Sequence, residues 1–297
     1  MKIEKLSESL YHIKANIPQT RFAFSFYLIT EGGGVLIEPG PAGLVPSLLE
    51  GMKQVGLQGL AYIIPTHIHL DHGGGCGKLA GLFPKSRVVI HPRAQKHLLD
   101  PTRLIEGTRM AYGNDFESQY GPILPVSKTQ LVIPEDGEIL EPKGRALQII
   151  YAPGHAPHQI AIFDKKTGGL FCGEALGIPL PGDEELVLPS VSIQDFNPDL
   201  YVETINKLRQ LNPKVLYFSH QGGVRDSVPL IDRLLRNMEV LRVVVPEKLR
   251  KGEPVEVIVE HTLELLPGGD QKNPVVMAIL QETIMGFAYY YKRKGWS

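Results

Sequence analysis

Three histidines and an aspartate fall within six positions in Thr66-His67-Ile68-His69-Leu70-Asp71-His72, directly after the apolar run Leu60–Ile64. Neutral imidazole nitrogen and carboxylate oxygen ligate zinc, iron and manganese, whereas the same groups crowded together without a cation are desolvated with little return. The chemistry of this stretch is that of a metal site. In an extended segment side chains two apart share a side, so His67, His69 and Asp71 align, and His72 joins them only if the chain turns after Leu70. Gly73, Gly74 and Gly75 are expected to supply that turn through positive φ. One ion rarely takes so many neighbours from one loop, which favours a two-metal division, His67 with His69 and Asp71 with His72.

Three further strand ends each deliver a ligand type beside or near glycine. His155 follows Tyr151-Ala152-Pro153-Gly154, Glu174 follows Phe171-Cys172-Gly173, and His220 follows Tyr217-Phe218-Ser219. Seven such ligands suit two ions of four to five coordination that share a carboxylate and solvent. His91, His97 and His261 are isolated and read as surface or hydrogen-bonded core groups. His158, three positions after His155, is expected to border the pocket. Cys76 stands at a predicted helix start that would lower its pKa, with packing as the simpler role, and Cys172 reads as a small buried thiol sharing the side of Glu174.

The elements that must position these groups are mostly strands. Leu10–Ala15, Phe22–Ile29 and Gly34–Ile37 read as an antiparallel opening with a turn at Glu31-Gly32-Gly33. A helix over Leu44–Val55 leads to the buried strand Leu60–Ile64. Arg87–Ile90 is a strand, Pro92–Leu99 a short helix, and Pro101–Tyr120 a polar, aromatic insertion. Strands follow at Ile139–Leu140, Ala146–Tyr151, Gln159–Phe163, Leu170–Cys172 and Val215–Phe218, with a helix over Pro198–Leu211. From Asp226 onward about three helices are expected, broken near Gly252-Glu253-Pro254 and at Pro267-Gly268-Gly269.

At 297 residues and 43% hydrophobic content the chain can bury one sizeable core or two smaller ones. Its 31 basic and 32 acidic residues leave a formal charge of -1, so no general field attracts nucleic acid or anionic membrane. Met1–Leu10 lacks the apolar run of a signal peptide and no stretch approaches a membrane span, which predicts a cytoplasmic protein. The two cysteines read as free thiols.

Taken together, Thr66–His72, Ala152-Pro153-Gly154-His155, Gly173-Glu174 and Ser219-His220 stand in the order and with separations like those of the metallo-β-lactamase-fold hydrolases, which the chain resembles over roughly residues 8–225. Within that family it looks most like the glyoxalase II-like branch. The resemblance implies an α/β fold, a four-layer αββα sandwich of two mixed β-sheets with flanking helices. It implies a catalytic domain over 1–225, with an insertion at about 100–128, and a C-terminal helical extension over 226–297 packed on it. Carried over residue by residue, it places His67, His69 and His155 on one metal, Asp71, His72 and His220 on the other, and Glu174 at the bridge. Glu174 and Glu38 stand where the family commonly has aspartate. A longer bridging arm would move the second metal, weaken it, or leave Glu174 on one ion only.

The function so implied is a metal-dependent hydrolase that directs metal-bound hydroxide at a thioester, carboxylic ester or lactone, with Asp71 orienting the nucleophile or relaying its proton. Two divalent ions are expected, zinc first, with iron or manganese also compatible. The substrate is a small molecule, contacted by Arg109, Tyr112, Tyr120 and His158; pairing of Arg109 with a nearby acid is an equal reading. Tyr289, Tyr290 and Tyr291 cannot share one helix face and are expected at a domain or homodimer contact. Two rival readings keep the same residues. One is an iron-dependent redox enzyme, persulfide dioxygenase-like or diiron and reactive with oxygen or nitric oxide, and the other is a metal-binding sensor without turnover.

Overall fold

Runs of β-branched and aromatic residues build two mixed sheets, both within the first of two units of the chain. The computed structural model describes residues 1–18, 23–180, 183–220, 222–268 and 273–296. One unit comprises Met1–Tyr151, Ile160–Gly173 and Val215–Val224, and the other comprises Ala152–Gln159, Glu174–Lys214 and Arg225–Ser297.

In the first unit, β1 (Lys2–Lys5), β2 (Leu10–Ala15), β3 (Phe24–Ile29) and β4 (Val35–Ile37) form an antiparallel meander. β5 (Tyr62–Ile64), β6 (Arg87–Val89) and β7 (Leu131–Val132) extend it in parallel. Each parallel step needs a crossover. α1 (Val45–Gln54) links β4 to β5, and α2 (Leu70–Gly73) with α3 (Cys76–Leu82) links β5 to β6. α4 (Gln95–Leu99), α5 (Thr102–Tyr112) and α6 (Phe116–Tyr120) lie between β6 and β7, so the segment Pro101–Tyr120 is largely helical, as two helices after the short helix α4. The second sheet has β8 (Ile139–Leu140), β9 (Leu147–Tyr151), β10 (Ile160–Asp164) and β11 (Gly169–Gly173) in antiparallel sequence. The chain then passes through the hairpin β12 (Ile178–Leu180) and β13 (Asp183–Leu188), which belongs to the other unit, and returns as β14 (Val215–Phe218), parallel to β11, and β15 (Gly222–Val224).

Period-two alternation assigns each strand two faces. Tyr27, Ile29, Val35, Ile37, Ile64 and Val89 of the first sheet pack with Ile149, Ile160, Ile162, Phe171 and Tyr217 of the second. The opposite face of the first sheet, through Phe26, Leu28, Leu36, Ile63 and Val88, packs with Val45, Leu48 and Met52 of α1 and Leu79 of α3. A strand covered on both faces is apolar throughout, and every residue of β3 is buried. The expected α/β fold of two mixed sheets with helices is therefore present, with the predicted strand Phe22–Ile29 seen over Phe24–Ile29. Phe22 and Gly269 lie outside the described residues. β1, β7, β12, β13 and β15 are additions to the elements expected from the sequence.

In the second unit, α7 (Pro198–Arg209) is followed by α8 (Ser227–Arg250), α9 (Val255–Leu265) and α10 (Pro274–Arg293), the three terminal helices expected. α8 packs against β13, α7, α9 and α10. The three consecutive tyrosines of α10 separate as helical geometry requires. Tyr290 is buried and donates a hydrogen bond to Asp199, Tyr291 stacks on Trp296 with ring centroids 4.0 Å apart, and Tyr289 is 39% exposed under Arg293. Asn197 caps α7, its Oδ1 accepting from the N–H groups of Asp199 and Leu200 at 3.1 Å each. Asn197→Ala is expected to cost about 1 kcal/mol of stability, read as a lower denaturation midpoint at unchanged slope. Among the described residues no helix is long and apolar enough to cross a membrane.

Candidate metal centre

The parallel strands of the first sheet deliver their chemistry where they end. Ile37 and Ile64 are register partners, so the chain leaves the sheet at Glu38 on one strand and at Pro65 on its neighbour. His67 and His69 then meet edge to face, with ring centroids 4.6 Å apart. β5 stops at Ile64, the chain bends at Thr66, His67 and His69, and α2 begins at Leu70, so Asp71 and His72 lie together on one helical turn. This corrects the expected alignment of Asp71 with the two preceding histidines. It also corrects the reading of Gly73, Gly74 and Gly75, none of which has positive φ. They are needed because a Cβ would lie 2.8 Å from Ile68 Cα, 2.3 Å from the Leu70 carbonyl and 2.9 Å from the Gly40 carbonyl, respectively.

His220 follows β14, and its Nε2 lies 3.5 Å from Asp71 Oδ2, while His72 Nε2 lies 3.2 Å from the same oxygen. The potential ligand atoms of Asp71, His72 and His220 all fall within 4.8 Å of one another. Burial alone would raise the Asp71 pKa, but His72 and His220, wherever they carry a proton on Nε2 in the metal-free site, outweigh it by charge and hydrogen bonding and hold the carboxyl well below its usual range.

The far side of each ring fixes its tautomer. His72 Nδ1 stands 3.2 Å from Glu38 Oε2, and His220 Nδ1 stands 3.2 Å from the Ala23 carbonyl. A carboxylate and a carbonyl only accept, so in the neutral ring both Nδ1 atoms carry the hydrogen and both Nε2 atoms present lone pairs. Thr66 Oγ1 donates to Glu38 Oε1 at 2.6 Å, which leaves it to accept from His67 Nδ1 at 3.1 Å. Ser219 Oγ donates to the same Glu38 oxygen at 2.7 Å. Glu38, 3% exposed, is thus the hub behind His67, His72 and the strand end before His220, and the sequence reading gave it no such part. Its position directly after a buried strand, before Pro39-Gly40, was the available signal.

The second unit repeats the pattern on a smaller scale. His155 Nδ1 lies 3.2 Å from the Ser190 carbonyl, and its Nε2 lies 3.0 Å from Glu174 Oε2. Gly154 before it has φ of +138° and sits so near α7 that a Cβ would be 2.5 Å from Tyr201 Cα. His158 comes within 4.8 Å of Asp195, a residue the sequence reading missed because a lone acid in a loop carries no motif.

In the insertion, Tyr120 packs with Leu70, Phe116 and Ile123, which ties α6 to the start of α2. The Tyr120 hydroxyl pKa is raised by burial and by the charge of Asp71. Tyr112 meets Tyr120 edge to face at 5.3 Å, and Arg109 lies 3.8 Å from Glu117 on an exposed face. Cys76 does begin α3, but complete burial pushes its thiol pKa up, against the expected lowering. Cys172 is likewise buried with a raised pKa, and its Sγ donates to the Tyr217 carbonyl.

These residues fit divalent metal. With Nδ1 carrying the hydrogen, each imidazole–carboxylate pair sets acceptor against acceptor at 3.0 to 3.5 Å, an arrangement that positive charge between the atoms stabilises.

A family model described as the metallo-beta-lactamase superfamily matches residues 20–220, and the chain belongs to that superfamily, whose members bind divalent metal ions. The chain is 27% identical to the metallo-beta-lactamase fold-containing protein ST1585 of Sulfurisphaera tokodaii over 176 residues, 58% of this chain and 64% of that protein. It is 27% identical to a hydroxyacylglutathione hydrolase of Synechococcus over 55% of this chain and 50% of that protein. It is 23% identical to an N-acyl homoserine lactonase of Bacillus thuringiensis over 57% of this chain and 60% of that protein. The matched region thus spans less than two thirds of each of these relatives. Among solved structures, metallo-beta-lactamase family protein TTHA1429 from Thermus thermophilus superposes with a TM-score of 0.70 at 21% identity, covering 98% of this chain and 95% of that one. A flavo di-iron protein from Thermotoga maritima superposes with a TM-score of 0.57 at 15% identity, covering 80% and 62%.

Proposed function

We propose that the chain is a metal-dependent hydrolase of thioester, carboxylic ester or lactone bonds in small molecules. In this reading His67, His69 and His155 serve one ion, Asp71, His72 and His220 the other, and Glu174 is the remaining acidic ligand. The observation that carries it is the Asp71–His72–His220 constellation, in which both rings are locked from behind and turned with Nε2 toward one anionic oxygen. Asp71, His72 and His220 would hold a divalent ion whose contribution, when bound, would be to polarise a carbonyl and, for zinc, to lower the pKa of its water to about 7. The protein supplies the rest. Glu38 and the Ala23 carbonyl keep the rings from rotating, and the Asp71 carboxylate, anionic at neutral pH, can orient water or accept its proton. Neither cysteine is suited to act as a nucleophile, since both thiols are buried with raised pKa. Relatives named as a hydroxyacylglutathione hydrolase and an N-acyl homoserine lactonase support acyl transfer to water as the reaction class. The near-neutral charge supports a small substrate over a nucleic acid.

The test is metal content of protein purified without added metal, together with a panel of thioesters, esters and lactones. Turnover of at least one class is expected, lost on chelation and restored by zinc or manganese. Two irons per chain with oxygen uptake and no hydrolysis would replace this reading with the redox one. Bound metal with no turnover of any kind would leave a sensor.

A further inference from the structure

Glu174 has a longer arm than the aspartate expected at its place, and an extra rotatable bond has to be held if the carboxylate is to act as a fixed ligand. One buried residue does the holding. Ser190, 3% exposed, engages all three of its polar groups around Glu174 and His155. Its carbonyl accepts from His155 Nδ1 at 3.2 Å, and its hydroxyl donates to Glu174 Oε1 at 2.8 Å. Its N–H donates to the Tyr201 hydroxyl at 3.2 Å, and that hydroxyl donates to the Glu174 carbonyl at 2.9 Å. Tyr201 is itself fully buried. The two carboxylate oxygens therefore differ. Oε1 is taken by a protein hydroxyl, and Oε2 is turned to the Nε2 of an imidazole whose other nitrogen is locked, 3.0 Å away.

We propose that Ser190 is a positioning residue that adapts the longer Glu174 arm to metal binding, fixing its rotamer so that Oε2 is the donating oxygen beside His155. The proposal rests on the reading of His155 and Glu174 as metal ligands. Outer partners of this kind typically contribute about 10- to 100-fold to metal affinity. The Ser190 hydroxyl does so by ordering the carboxylate before the ion arrives. An aspartate at 174 would be shorter by one carbon–carbon bond, about 1.5 Å, and would leave the Ser190 hydroxyl out of reach.

Zinc affinity, measured on the full chain by competition with a chromophoric chelator, separates the outcomes without recourse to activity. Ser190→Ala is expected to weaken zinc binding at the site that His155 and Glu174 serve about 10- to 100-fold, and Ser190→Thr, which keeps the hydroxyl, to stay close to wild type. In the Glu174→Asp background the added Ser190→Ala should change little, because the bond it removes is already gone. Should Ser190→Ala not fold, the near-isosteric pair Ser190→Thr and Ser190→Val isolates the hydroxyl, and equal affinities of that pair would overturn the proposal. Wild-type affinity in Ser190→Ala, or the same loss in both backgrounds, would overturn it as well. A wild-type chain that binds no zinc, iron or manganese would instead sink the metal-centre reading itself.

Discussion

Asp71→Asn is expected to lower turnover about 10²- to 10⁴-fold and to lose one equivalent of metal, while the fold is retained. The asparagine occupies the same space on α2, and the anchorage of that turn, through Leu70 packed with Phe116 and Ile123, is untouched. What changes is charge. Asp71 Oδ2 faces the Nε2 atoms of both His72 and His220, and an amide can offer them only a neutral carbonyl oxygen or an N–H. A neutral oxygen is a weaker ligand for a divalent ion and a much weaker proton acceptor, so binding and chemistry should fail together. Metal stoichiometry and kcat measured on the same preparation check this. Full turnover at one equivalent of metal would show that the hydrolytic step does not need Asp71.

The parts of the site that could be read from the sequence are those whose signal is local. Six consecutive positions disclosed His67 to His72, and a buried strand followed by a small or flexible residue disclosed His155, Glu174 and His220. The same locality misled at Gly73–Gly75, since glycine serves either to reach positive φ or to leave room for a neighbouring backbone. Only the packing against Ile68, Leu70 and Gly40 tells which. The supporting residues were harder to find because their partners are remote. Glu38 meets Ser219 across 181 positions, and Ser190 meets Glu174 across 16 with no motif at either end. β1 was missed for a related reason: Lys2-Ile3-Glu4-Lys5 carries little apolar patterning and is held as an edge by backbone pairing to β2.

Glu38 gives the second large effect, in stability as well as in metal binding. Glu38→Ala deprives three buried donors, Thr66 Oγ1, Ser219 Oγ and His72 Nδ1, of the carboxylate they share. At about 1–3 kcal/mol for each unsatisfied buried group, with some relaxation, the expected loss is about 3–5 kcal/mol. Freed of its anchor, His72 can rotate, and metal affinity should fall about 10- to 100-fold. The backbone supplies an internal control, because Glu38 has φ of +60°, in the left-handed region that costs a residue with a Cβ about 1 kcal/mol. Glu38→Gly removes the same carboxylate but relieves that strain, so it should be more stable than Glu38→Ala by about 1 kcal/mol in chemical denaturation while binding metal no better. If the two variants differed in metal affinity but not in stability, the carboxylate could not be acting through His72, and the backbone at the end of β4 would be what sets the site.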